Sequence, residues 1–130
     1  MMDKDKMRAM ADRVFRDVAG GMATALAFVG TETGLFRAMA GRGPMSIADV
    51  AAASGLEARY VEEWLKGMVS AGYLDYEAAA ETFTLPDEHA FLLSSEGTDH
   101  FMGGMFALLP LCPVWDRSPT ASRPSTFTLG

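Results

Sequence analysis

Two histidines and a single cysteine are the side chains in this sequence best suited to proton transfer, metal binding or nucleophilic attack. His89 follows Glu88 and His100 follows Asp99, so each imidazole has a carboxylate beside it in the chain. A metal centre needs three or four convergent ligands, and a general base needs a partner that orients it; the spacing supplies neither. Both histidines therefore read as surface or capping residues. Cys112 stands between Pro110 and Pro113 in an apolar stretch, with no cation at hand to stabilise a thiolate, and reads as a small buried hydrophobe. The glycine groups Gly41-Arg42-Gly43 and Gly103-Gly104 lack the preceding strand and the G-x-G-x-x-G spacing of a dinucleotide-binding turn. Neither a G-x-S-x-G elbow nor an H-E-x-x-H pair is present. On this reading no catalytic, cofactor-binding or metal-ligating residue can be assigned.

What remains is the shape that the chain must build. At 130 residues and 49% apolar composition it holds enough for one packed domain. Seventeen acidic against eleven basic side chains give a net charge of −6, which repels a phosphate backbone. A lone cysteine forms no internal disulfide, and the polar start Met1-Met2-Asp3-Lys4-Asp5-Lys6 is no secretory leader, so a reduced, cytoplasmic setting is expected. The apolar run from Phe101 to Trp115 is too short for a membrane span and carries two prolines.

Met7, Met10, Val14 and Val18 recur at the helical period, with Arg8, Asp12, Arg13, Arg16 and Asp17 between them. Gly20-Gly21 weakens this helix, and a second stripe runs through Met22, Leu26 and Val29 before the interruptions at Gly30-Thr31 and Thr33-Gly34. A third short helix carries Leu35, Phe36 and Met39 to the turn at Gly41–Pro44. Ser46-Ile47-Ala48-Asp49 is a capping-box start for a short helix that stops at Ser54-Gly55. A longer helix, Glu57 to Ala71, follows with Tyr60, Val61, Trp64, Leu65 and Met68 on its buried side and Gly72 closing it in the left-handed region. Short helix, glycine turn, long helix is the helix-turn-helix order. The runs 73–76 and 82–85 alternate in polarity and predict a β-hairpin wing across the Glu77–Glu81 connection. Pro86 ends the second strand, a helix is predicted from Asp87 to Leu93, a loop from Ser94 to Thr98, and an apolar helix from about Asp99 to Leu109. The methionines on these stripes read as core or interface filler. The predicted fold is thus mainly α, a winged helix-turn-helix flanked by N- and C-terminal helices, over residues 1–116. Residues 117–130, rich in Ser, Thr and Pro, form an unstructured tail.

A winged helix-turn-helix usually reads DNA through cations on its second helix. Residues 44–81 contain only Arg59 and Lys66 as cations, against Asp49, Glu57, Glu62, Glu63, Asp75, Glu77 and Glu81. Such a surface argues for a packing module over a DNA reader. The stripe Met7, Met10, Val14, Val18, Met22, Leu26 and Val29 is more apolar surface than one small winged helix can cover, so a homodimer is expected to use it.

The segments Thr33–Ala38, Ser46–Ala51, Gly55-Leu56, Arg59–Val69 and Phe83–Ala90, the last containing Leu85-Pro86-Asp87-Glu88-His89, together resemble the N-terminal winged-helix region of class I S-adenosylmethionine-dependent methyltransferases. The resemblance extends over roughly residues 10 to 116. It implies a domain that exchanges helices with a second subunit and helps to roof the substrate pocket, without binding DNA. It implies a pocket wall that includes Phe15, Met102, Met105 and Phe106. In that family the cofactor and the catalytic groups belong to a following Rossmann domain, for which no strand-helix-strand unit stands in this sequence. S-adenosylmethionine is therefore implied for full-length relatives and not for these 130 residues, which read as a truncated or retained module without catalytic competence. Two other readings stay open: a small winged-helix transcriptional regulator, and a stand-alone module that captures a small molecule or a partner on its Met-rich helices.

Overall fold

The N-terminal helix is far longer than its glycines suggest. In the computed structural model, which describes residues 1–108, helix α1 runs unbroken from Lys4 to Glu32. Asp3 caps it, its carboxylate accepting the backbone N–H groups of Asp5 and Lys6 at 3.0 and 3.3 Å. Gly20, Gly21 and Gly30 were expected to weaken or interrupt this segment. None of them takes a positive φ, and all three stay within the helix. A glycine costs about 1 kcal/mol of helix propensity relative to alanine, but it can hold helical dihedrals, so it weakens a helix without ending it. The break comes at Gly34, at φ 76°, which turns the chain into α2 (Leu35–Met39).

The helix-turn-helix follows as α3 (Ile47–Ser54) and α4 (Ala58–Ser70). The capping box at Ser46 forms in both directions: Ser46 Oγ accepts the Asp49 N–H at 3.1 Å, and the Ser46 N–H donates to Asp49 Oδ2 at 3.0 Å. Gly55 ends α3 at φ 73°. Gly72, at φ 82°, closes α4 in a Schellman arrangement, with Tyr73 N–H donating to Met68 O at 2.9 Å and Gly72 N–H to Val69 O at 3.0 Å. The predicted wing is present as β1 (Asp75–Glu77) and β2 (Thr82–Thr84), antiparallel with Tyr76 opposite Phe83. Met45 adds a bridge to the far side of Phe83 through two backbone hydrogen bonds of 2.8 Å, which fastens the wing to the start of α3. Helix α5 spans Asp87–Leu93, as its sequence predicts.

The predicted apolar helix from Asp99 to Leu109 is corrected to a single 3₁₀ segment, Gly103–Leu108, preceded by non-helical backbone. The tight i→i−3 bonds of Phe101 to Thr98 and Met105 to Met102, and the bond from Met102 N–H to Leu92 O at 2.7 Å, hold this stretch against α5 instead. Gly103 is buried where a Cβ would run into the Phe101 ring. Leu109, Cys112, Trp115 and the proposed tail at 117–130 lie outside the described residues, as does the domain boundary at 116.

Leu35, Phe36, Met39, Met45, Val50, Val61, Trp64, Leu65, Met68, Leu74, Phe83 and Leu85 are buried together, drawing from α2, α3, α4 and the wing. Phe36 and Trp64 meet edge to face at 5.1 Å and 68°. Trp64 Nε1–H donates to Leu26 O at 2.8 Å, so α1 docks on α4 only through its last turns. Tyr60, expected on the buried side of α4, is instead 73% exposed. It sits in the first turn, at the margin of the face formed by Val61, Trp64, Leu65 and Met68.

Candidate functional site

Three surfaces are built by this framework, and the first is α1 itself. Every residue from Met1 to Met22 is exposed. At 1.5 Å per residue, Lys4 to Met22 forms an arm of about 28 Å with no half-buried or buried residue along it. The stripe residues Met7, Met10, Val14, Val18, Met22 and Val29 all lie open on it. Leu26 differs: it is half-buried against the core, close to Gly67 of α4. Of the methionines read as core or interface filler, Met39, Met45 and Met68 are buried in the core, whereas Met7, Met10, Met22, Met102 and Met105 are exposed.

The second surface is a cleft of about 490 Å³ between the middle of α1, the end of α4, α5 and the 3₁₀ segment. Met102, Met105 and Phe106 line it together with Thr24, Tyr73, His89 and Leu92. Phe15, proposed for the same wall, does not: it lies on the free arm and is 75% exposed. The sequence reading missed His89 as a member of this cleft. Its Nδ1 lies 2.7 Å from Tyr73 O, and since a carbonyl can only accept, Nδ1 carries the proton. In the neutral ring Nε2 is then the acceptor, the tautomer being fixed by the backbone. Nothing in the spacing of Tyr73 and His89 signals this pairing, because it forms only when the hairpin folds back between them. His100 stacks flat on Phe91, with ring centroids 3.7 Å apart and planes at 5°. The two histidines serve separate contacts. Among the described residues no group of three or more His, Cys, Asp or Glu side chains is placed to hold a metal ion.

The third surface is the face that a DNA-reading winged helix would use, a groove of about 630 Å³ between α3, α4 and the wing. Glu62, Lys66, Ser70, Tyr76 and Glu81 line it with Ile47, Val69 and Phe83. Lys66 Nζ lies 2.8 Å from Glu62 Oε1. That hydrogen bond, and then the Glu62 charge, hold the Lys66 ammonium above the usual lysine range. Among the described residues, the one cation that lines this groove is thereby already paired with Glu62, and Glu81 adds a further carboxylate to the lining.

The described residues present no class I site for S-adenosylmethionine. A class I site takes the ribose hydroxyls on a carboxylate at the ends of parallel strands. The only sheet among the described residues is one antiparallel pair, and the apolar cleft has no Asp or Glu in its lining. Among the described residues no helix is long and apolar enough to cross a membrane.

No curated protein matches the sequence at a significant level. Solved structures do. Human N-acetylserotonin methyltransferase, in complex with SAM, aligns at TM-score 0.62 and 24% identity over 81% of this chain and 31% of its own. An O-methyltransferase family 2 protein from Planctomyces limnophilus, complexed with apigenin, aligns at TM-score 0.59 and 16% identity, covering 87% of this chain and 34% of its own. PigF, solved with SAH, aligns at TM-score 0.55 and 23% identity over 89% and 31%. The chain thus spans about a third of the length of the methyltransferases whose fold it shares. The family model that matches, over residues 20–95, covers α3, α4, the wing and α5 together with the end of α1, and by it the chain belongs to the Rv2258c-like winged helix-turn-helix domain family.

Proposed function

We propose that this chain is the dimerisation and substrate-roof domain of an S-adenosylmethionine-dependent methyltransferase, and not a DNA reader. The observation that carries the reading is the free, apolar half of α1. Most of a helix's stability in a protein comes from packing of its apolar face, and a helix with Met7, Met10, Val14, Phe15, Val18 and Met22 exposed is a surface that a second subunit stabilises. The shared fold of methyltransferases solved with SAM or SAH supports the enzyme class, and the apolar cleft supports the roof. There Met102, Met105 and Phe106 provide a wall against which a hydrophobic methyl acceptor packs, with His89 Nε2 as the polar contact. Cofactor binding and methyl transfer belong to a part of the whole protein beyond the described domain.

The acidic groove argues against the regulator reading. A helix that approaches phosphates needs free cations, and here seven carboxylates oppose two basic side chains over residues 44–81.

Light scattering on the 130-residue chain at tens of micromolar, a range that suits contacts of roughly −6 kcal/mol, tests the reading. A dimer is expected, and a clean monomer overturns it. Calorimetric titration with S-adenosylmethionine tests the division of labour. Binding at or below about 10 μM, worth roughly −7 kcal/mol, would place a cofactor site in these residues after all.

A further inference from the structure

The outer edge of the wing carries backbone groups that no other described residue takes up. Phe83 N–H donates to Met45 O and Phe83 O accepts the Met45 N–H, so Phe83 cannot exchange these groups with Tyr76 across the hairpin. Tyr76 and Phe83 are therefore the non-hydrogen-bonded pair, and the N–H and C=O of Tyr76 point away from β2, to the outer edge of β1. Among the described residues neither group has a partner. The Tyr76 side chain is 47% exposed and lines the wing groove beside Phe83, with ring centroids 4.9 Å apart. An edge of this kind is a template for one more strand.

A strand that suits it stands in the same sequence. Thr126-Phe127-Thr128-Leu129 repeats Thr82-Phe83-Thr84-Leu85 residue for residue, and Phe127 and Leu129 are the only large apolar side chains between Arg117 and Gly130. The first copy already pairs with β1 as β2. The second follows Pro124, a residue that fits the entry to a strand. The 17 residues between Leu108 and Thr126 can span about 60 Å, far beyond the radius of gyration of roughly 13 Å of a 100-residue domain. Charge agrees with the pairing: residues 75–85 carry Asp75, Glu77 and Glu81 and no cation, whereas residues 117–130 carry Arg117 and Arg123 and no Asp or Glu. The β1 strand of a second copy fits worse, because antiparallel pairing about Tyr76 sets Asp75 opposite Glu77, like charge against like.

We propose that Thr126–Leu129 adds to the outer edge of β1 as a third, antiparallel wing strand in the register of its copy, with Phe127 opposite Tyr76, Thr128 opposite Asp75 and Thr126 opposite Glu77. Tyr76 N–H then donates to Phe127 O, and Tyr76 O accepts the Phe127 N–H. Side chains directly opposite share a face, so Phe127 stands beside Tyr76 over the groove and Leu129 falls on the side of the buried Leu74. Both threonines face outward with Asp75 and Glu77. A register shifted by one residue turns Phe127 and Leu129 to solvent and the threonines inward, which fixes the pairing. Arg123, three residues before the strand, reaches the turn where Glu77 and Glu81 stand. The chain thus completes its own wing, and the edge and the outer side of the groove are closed to a strand from elsewhere.

Amide hydrogen exchange on the isotope-labelled 130-residue chain tests this. The Tyr76 N–H is expected to exchange about tenfold or more slowly in the parent than in Phe127→Asp. The amides of Glu77 and Thr84, which belong to the ladder between β1 and β2, should be unchanged and report that the wing is intact. Phe127→Tyr is expected to keep the protection. Equal rates at Tyr76 in the parent and in Phe127→Asp overturn the proposal. Protection that fades on dilution also overturns it, because the edge is then taken by the tail of a second copy. So does a nuclear Overhauser contact between Phe127 and Met45, which puts the repeat in the place of β2.

Discussion

Two glycines decide how closely α1, α2 and α4 approach, and they do so with different tolerance. A Cβ on Gly30 would stand 2.6 Å from Trp64 Cζ2 and 2.7 Å from Phe36 Cε2, both in rings locked in the core. Neither ring can withdraw without breaking their edge-to-face contact or the bond from Trp64 to Leu26 O. Gly30→Ala is therefore expected to destabilise the domain by about 1–3 kcal/mol, the usual range for overpacking. Gly67 also sits under a close neighbour, at 2.5 Å, but that neighbour is Cδ1 of the half-buried Leu26, the tip of a flexible side chain. Gly67→Ala is expected to cost less than about 1 kcal/mol, since the gain in helix propensity offsets part of the adjustment. Urea unfolding of the two variants side by side checks the contrast, which would fail if Gly67→Ala proved the more damaging.

Among the elements, α3 depends most visibly on its cap. Removing the Ser46 hydroxyl frees one backbone N–H at the start of an eight-residue helix, and Ser46→Ala is expected to lower stability by roughly 1 kcal/mol. The reciprocal half of the box titrates. Hydrogen bonds from the Ser46 backbone and then from its hydroxyl hold the Asp49 carboxyl below its usual range. A group whose pKa is depressed by folding adds stability that is present above the unfolded value and lost as pH falls through the folded one. Asp49→Asn is therefore expected to be less stable than the parent at neutral pH, with the difference shrinking as pH drops through and below the carboxylate range. Urea midpoints for the two proteins between neutral and strongly acidic pH read this directly. A gap that stays constant into acid would show that the carboxylate contributes no pH-dependent stability.

At the scale of the whole molecule, the free arm and the acidic groove set what the domain can meet. Replacing Val14 and Val18 together by Asp puts charge on the exposed apolar stripe of α1 and is expected to shift light scattering from dimer to monomer. Because both side chains are exposed in the single chain, the circular dichroism of the globular part should be retained. No specific DNA binding is expected. A salt-sensitive, sequence-dependent gel shift at nanomolar protein would contradict the charge argument. Substitution of Glu62 and Glu63 by Lys would reverse that balance, and any nonspecific affinity it creates should fall steeply with salt.

The sequence alone determined the parts of this protein that are held by short-range chemistry. The Ser46–Asp49 box, the left-handed turns at Gly55 and Gly72, the start of α5 after Pro86, and the order helix, turn, helix, wing all rest on residues within a few positions of one another. Tertiary structure decided everything that depends on what stands across from a residue. Periodicity marks an apolar face on α1, but it does not say whether that face meets the core. In the folded chain the last turns of α1 dock through Leu26, Ala27 and Gly30, while the rest of the stripe stays open. Tyr60 shares the first turn of α4 with the fully buried Val61, yet it is exposed because it stands at the edge of the face that Val61 and Trp64 bury. The bond between His89 and Tyr73, and the cleft that it borders, exist because the hairpin returns α5 to the end of α4. Such a contact costs loop closure before it gains a hydrogen bond, and a reading of local spacing has no term for it.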